Sequence, residues 1–324
     1  MSRSAVLVTG GNSGIGFECA RELARNGWQV VIASRDRALS EAATRRIVAE
    51  TGNPAVSELG VDLGSTKSVR NLAWEIEARD LPLRALVCNA GLQSSGVRKI
   101  SSDGYELTFA VNHLGHFLLT NLLLQRLLAN APARVVVVSS GVHDPKRLTG
   151  MPKAAITDMA TLAAGGAADA SRFNGQLAYV NSKLCNLWFT YELDRRLAAA
   201  QLSSDARLTV NAFDPGLVPG SGLAREYPAA LRFAWNRILP GVARVLSRAV
   251  PSISTARKSG GALAQLVLDP ALAATSKQYF PSHTRWRQAP SSDASYDEEG
   301  ARRLWDESAR MSGLTAQDSP LARN

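Results

Sequence analysis

Tyr179 and Lys183 stand four residues apart, a spacing that puts both on one face of a helix. A phenol with a pKa of about 10 is a poor proton donor or acceptor at neutral pH. A cationic neighbour favours the phenolate and brings that pKa toward the working range. Alone, Tyr-x-x-x-Lys is commonplace on helix surfaces, and its meaning depends on its company. That company is Ser139-Ser140 at the end of an apolar run and, far upstream, Thr9-Gly10-Gly11-Asn12-Ser13-Gly14-Ile15-Gly16. Glycines where a strand gives way to a helix let the backbone approach a pyrophosphate, and the helix N-terminus adds free N–H groups and positive dipole. The spacing is G-x-x-x-G-x-G rather than G-x-G-x-x-G, and by itself it fits a flexible turn as well.

A second apolar run ends in Ala33-Ser34-Arg35-Asp36. A carboxylate about 20 residues after the glycines binds the ribose 2′-OH of NAD, whereas an arginine there accommodates the 2′-phosphate of NADP. Ser34 and Arg35 therefore favour NADP(H), with a solvated arginine as the plain alternative. Asp36 reads as the N-cap of the next helix. Asp62-Leu63 and Asn89-Ala90-Gly91 follow later runs; singly, each is an ordinary turn.

The elements that must position these groups are legible as alternation. Val6–Val8, Val30–Ala33, Ala85–Cys88, Val135–Val138 and Leu208–Asn211 are continuous apolar runs, the pattern of parallel strands covered on both faces. Helical patterns lie at 14–26, 37–50, 65–78, 104–130 and 177–200. Strands alternating with helices predict βαβ units and a doubly wound, Rossmann-type α/β fold with about seven parallel strands. With 324 residues, 45% hydrophobic and 20% charged, the chain is globular rather than disordered or fibrous. No linker divides it, so one domain is expected over 1–312, with 313–324 as a flexible tail. Segments 141–176 and 217–256 break the alternation. Both follow strand C-termini, where open α/β sheets bind ligands.

Three scattered cysteines, Cys19, Cys88 and Cys185, form no disulfide framework or metal spacing and fit a reducing compartment. They read as small buried hydrophobes. The apolar run after Met1-Ser-Arg-Ser4 is too short for a signal-peptide core or a membrane span. A soluble, cytoplasmic protein is the expectation.

In combination these residues resemble the short-chain dehydrogenase/reductase family over roughly residues 5–280. Thr9-Gly10, Gly14, Gly16, Asp62, Asn89-Ala90-Gly91, Asn112, Ser140, Tyr179, Lys183 and Pro215-Gly216 stand in that family's order. The resemblance implies that Tyr179 exchanges a proton with the substrate oxygen, while Lys183 lowers its pKa and holds the nicotinamide ribose. It implies that Ser140 hydrogen-bonds the reacting oxygen, with Ser139 structural, and that Asn112 anchors a relay water. The implied cofactor contacts are Gly10, Asn12, Ser13, Gly14, Ile15, Gly16, Arg35, Asp62, Leu63, Asn89, Ala90, Gly91, Tyr179, Lys183, Pro215, Gly216 and Val218. Asn112-His-Leu-Gly-His-Phe117, Gly222–Glu226 and Asp297–Trp305 are similar to the branch holding retinol dehydrogenases and light-dependent protochlorophyllide reductases. In the latter a cysteine follows the Pro-Gly; here it is Leu217, which favours carbonyl/alcohol exchange over pigment reduction. Dimers and tetramers are usual in the family, so a homo-oligomer is also implied.

The segment 221–260 carries Arg225, Arg232, Arg237, Arg244, Arg248, Arg257 and Lys258 against Glu226, most of the chain's +9. Leu231, Trp235, Ile238, Val242, Val245 and Ala249 recur at helical spacing, with Pro240 expected to break or kink the run. An apolar stripe beside a basic face fits a substrate lid, with contact to a membrane surface as an addition. No aromatic interleaving or helix-turn-helix supports nucleic acid. His113 and His116 lack a carboxylate or cysteine to complete a metal site, so packing and hydrogen bonding are expected of them and no metal. The sequence thus reads as an NADP(H)-dependent oxidoreductase acting on a bulky hydrophobic carbonyl or alcohol. Protochlorophyllide-reductase-like C=C reduction and a non-catalytic nucleotide binder are the alternatives.

Overall fold

A computed structural model describes residues 3–94, 96–166, 169–202, 208–220 and 233–322. Seven strands form one sheet: β1 (Ala5–Thr9), β2 (Gln29–Ser34), β3 (Val56–Gly60), β4 (Leu83–Cys88), β5 (Ala133–Val138), β6 (Leu208–Asp214) and β7 (Gln278–Pro281). Their order is β3-β2-β1-β4-β5-β6-β7, and every pairing is parallel. The order reverses between β1 and β4, the point where such sheets open a crevice at the strand C-termini.

Side chains alternate across each strand, and the two faces bury different layers. Ala5 and Leu7 of β1 join one apolar cluster, while Val6 and Val8 join another. The first layer lies under α3 (Thr66–Ala78), α5 (Gly115–Leu122) and α8 (Gly175–Ala199). The second lies under α1 (Gly14–Arg25), α2 (Arg37–Thr51) and α10 (Ala256–Leu268). Burial on both sides explains why the strands read as unbroken apolar runs.

The helix expected at 104–130 is segmented. Helix α4 (Leu107–Phe109) passes through a π-helical turn at Ala110–Leu114 into α5, and α6 (Leu124–Ala129) completes it. The widened turn holds Asn112; such bulges frequently mark functional sites. In the 141–176 segment, α7 (Met159–Ala163) buries Leu162 and Ala163 in a third apolar cluster with α8 and α11 (Glu298–Ser312).

The lid run changes character at Pro240: a π-helical turn at Ala234–Ile238 gives way to α9 (Leu239–Leu246), with Pro240 in the latter's first turn, the irregularity expected where a ring lacking an N–H enters a helix. One expectation is corrected. The C-terminal residues through 322 are not a loose tail. Arg70 of α3 holds Asp318 with both guanidinium nitrogens at 2.7 and 3.1 Å, Ser319 Oγ donates to Asn121 Oδ1 at 2.8 Å, and Leu321 is only 3% exposed. Their partners lie about 200 positions or more away in sequence, so local polarity misread them. Arg225, Glu226, Leu231 and Arg232 lie outside the described residues.

Candidate active site

The turn after β1 is a cradle shaped by absent side chains. Gly10 and Gly14 have φ of +65° and +57°, a region L side chains rarely adopt. A Cβ on Gly16 would collide with the Gly10 carbonyl oxygen and Asn89 Nδ2. Helix α1 begins here without a side-chain cap hydrogen bond and without an acidic residue in its first turn. Its first N–H groups thus meet a concave, glycine-lined surface, which fits a pyrophosphate.

Thr9 ties this turn to the next one. Its hydroxyl oxygen accepts from the Asn89 and Ala90 N–H groups at 2.9 and 3.0 Å, and Asn89 Nδ2 donates to the Thr9 carbonyl at 2.8 Å. At the end of β2, Asp36 caps α2 by accepting from Leu39 N at 3.0 Å, as the sequence suggested. Ser34 pairs with Ser40 at 2.6 Å. Arg35 is exposed at the rim, so the charge presented there is positive, which fits a 2′-phosphate.

Tyr179 and Lys183 both lie on the buried length of α8. Lys183 Nζ sits 5.4 Å from the Tyr179 ring centre and donates to the Val138 carbonyl at 3.1 Å. Burial lowers the Lys183 pKa from 10.5 to about 8, opposed by the Asp214 carboxylate. Ser139 and Ser140 both line the cavity; Ser139 is buried and donates to the Lys183 carbonyl at 2.7 Å.

One cavity of 1020 Å³ joins these parts. Every residue expected to contact the cofactor lines it, together with Ser140. Asn112 does not. It is fully buried behind the wall, where its side chain accepts from Leu92 N at 2.8 Å and donates to the Leu92 carbonyl and Ser182 Oγ at 2.9 Å. Its own carbonyl accepts from His116 Nδ1 at 3.1 Å. A carbonyl can only accept, so Nδ1 carries the proton and Nε2 of the neutral ring accepts from Thr9 Oγ1 at 2.8 Å. His116 therefore joins the π-turn to the phosphate-side turn.

His113 points elsewhere, with Nε2 2.8 Å from Ser308 Oγ. Burial lowers the two imidazole pKa values to about 3 for His113 and about 4 for His116. All three thiols are buried, and desolvation raises their pKa values.

The sequence reading missed Arg147, Asp214 and the ring of Leu148, Thr149 and Met151, all lining the cavity. Asp214, directly ahead of Pro215-Gly216, carried a positional signal; Arg147 carried none. From the lid, Leu217, Trp235 and Ile253 reach the cavity wall. Leu217 is locked to the far end of the segment by backbone bonds to Ser252 and Ser254 at 2.8 and 2.9 Å.

The comparisons with known proteins agree with this geometry. The family model for short chain dehydrogenases matches residues 4–155. The chain is 37% identical to human retinol dehydrogenase 13 over 321 residues, covering 98% of this chain and 88% of that protein. It is 33% identical to protochlorophyllide reductase A of Oryza sativa subsp. japonica, covering 97% and 82%. A crystal structure of an uncharacterized protein from Mycobacterium Paratuberculosis superposes with a TM-score of 0.67 at 28% identity, covering 96% of this chain and 94% of that one.

Proposed function

This chain belongs to the short-chain dehydrogenase/reductase family of oxidoreductases, and from that premise we propose that it interconverts a carbonyl and an alcohol on a bulky hydrophobic substrate with NADP(H). The observation that carries the reading is the convergence of Tyr179, Lys183 and Ser140 with the glycine cradle and Arg35 in one cavity.

The bound cofactor supplies the hydride that the carbonyl carbon accepts. Within the chain, Ser140 orients the substrate oxygen by hydrogen bonding, and the Tyr179 hydroxyl gives it a proton, leaving the alcohol. Lys183, cationic below about pH 8, stabilises the resulting phenolate. In the oxidative direction the same groups take the proton back. Thr9, Asn89 and His116 hold the two turns against the cofactor cleft, and Arg35 favours the 2′-phosphate. The lid residues Leu217 and Trp235 give the outer wall an apolar character. Leu217 offers no thiol to protonate a second carbon, which favours C=O over C=C reduction.

Replacing Tyr179 by Phe tests the reading. Turnover should fall by about 10²–10⁴-fold, while the NADPH dissociation constant changes by no more than about threefold. Near-wild-type turnover would remove Tyr179 from the proton transfer.

The same reading extends to the surface of the lid. Ile238, Val242 and Val245 are exposed beside exposed Arg244 and Arg248, a combination suited to an anionic lipid surface at the mouth through which a hydrophobic substrate enters. Co-sedimentation with anionic but not neutral vesicles is expected; equal recovery with both would count against it. Among the described residues no helix is long and apolar enough to cross a membrane.

A further inference from the structure

The cavity contains an ion pair that the proton transfer does not use. Arg147, in the segment between β5 and α8, places Nη1 3.1 Å from Oδ2 of Asp214 at the end of β6. The Asp214 side chain is 2% exposed. It also accepts from Gly216 N at 2.9 Å and from the Tyr279 hydroxyl at 3.3 Å.

The guanidinium lies directly over Gly141. A Cβ at that position would collide with Nη1 of Arg147 and stand 3.0 Å from Oδ2 of Asp214. The ion pair thus occupies the space a side chain at residue 141 would fill, and Gly141 immediately follows Ser140. The positive group is therefore one residue from the hydroxyl assigned to the reacting oxygen.

Arg147 gives only Nη1 to the carboxylate. A guanidinium carries five N–H donors in a planar fork and commonly grips a carboxylate with two of them. Here Nε and Nη2 have no hydrogen-bond partner among the described residues. Nor are they sealed from solvent, since no Arg147 atom is buried and unsatisfied. Arg147, Leu148, Thr149 and Met151 all line the cavity, so the guanidinium brings its edge of unpaired N–H groups to the wall of the space that also holds Ser140 and Tyr179. Asp214 cancels its net charge, so the edge acts as a hydrogen-bond donor more than as an anion trap.

We propose that Arg147 is a substrate-specificity residue whose free N–H edge binds a second acceptor oxygen, so that the preferred substrates are hydrophobic ketones bearing an ester or second carbonyl near the reacting one. This rests on the carbonyl-reducing reading of Ser140 and Tyr179 and adds a substrate class to it. Asp214, bound by three donors, is the positioning residue that aims the guanidinium.

The test compares a long-chain β-keto ester with the ketone of equal length lacking the ester, using NADPH and the full chain as wild type, Arg147→Gln and Arg147→Lys. Wild type should favour the keto ester in kcat/KM by about tenfold or more, the scale of one hydrogen bond to a charged group. Arg147→Gln should lose about tenfold more on the keto ester than on the plain ketone, mostly in KM, and Arg147→Lys should recover part of the difference. An unchanged ratio in Arg147→Gln, or equal losses on both substrates, would reduce Arg147 to a tether and overturn the inference while leaving the carbonyl reading intact. Turnover of neither ketone by wild type would overturn both.

Discussion

Burial keeps His113 and His116 neutral, and acid should expose what that costs. Their pKa values in the fold are about 3 and about 4, against 6.5 for the free side chain, and desolvation is the largest cause in each. As pH falls through about 6.5, each ring in the unfolded chain takes up a proton that the folded ring cannot accept until far lower. The unfolded state then binds more protons, so stability rises with pH up to the unfolded pKa and is lost as pH falls below it. Between about pH 7.5 and pH 5 the gap opens by about one and a half pH units, or about 2 kcal/mol per histidine.

His113 can be removed with little other damage. Its ring packs among Phe109, Phe117 and Phe189 with centroids 5.4–6.1 Å away. Its Nδ1 is buried without a partner, and Nε2 bonds only Ser308 Oγ. His113→Phe with Ser308→Ala keeps the aromatic cage, makes room for the larger ring and leaves no hydroxyl orphaned. Guanidinium denaturation followed by tryptophan fluorescence at both pH values gives the acid-dependent loss. Wild type and Ser308→Ala should lose about 4 kcal/mol through the two histidines, and the double variant about 2 kcal/mol. Other titrating groups cancel in the difference. A double variant as acid-sensitive as Ser308→Ala would show that His113 does not carry the penalty, and the burial argument would fail with it.

Two further outcomes follow from single contacts. Arg35→Asp should shift the ratio of NADPH to NADH dissociation constants by about tenfold or more toward NADH, the worth of a charge-assisted hydrogen bond; an unchanged ratio in fluorescence titration would place the 2′-phosphate elsewhere. Truncation after Gly313 strips away Leu321 and the Asp318 partner of Arg70 and should cost at least about 2 kcal/mol by apolar burial alone, so an unshifted denaturation midpoint would mean that the packed tail contributes nothing.

The sequence alone determined the fold class and pointed to most of the residues that line the candidate cavity, because those features are local. A strand buried on both faces must be apolar throughout, as Val135–Val138 is, and helical periodicity puts Tyr179 beside Lys183. A glycine turn at a strand-to-helix junction is likewise contiguous, and Asp36 declares itself as a cap three residues ahead of Leu39 N. The tertiary structure decided what depends on partners remote in the chain. Thr9 and His116 are 107 positions apart, Arg147 and Asp214 67, and Arg70 and Asp318 248. No period or propensity links such residues; only the sheet order and the packing of helices against it bring them within hydrogen-bonding reach. Polar residues that look solvated along the chain, such as Arg147 and Asp318, therefore acquire their partners only through the pairing that the fold creates.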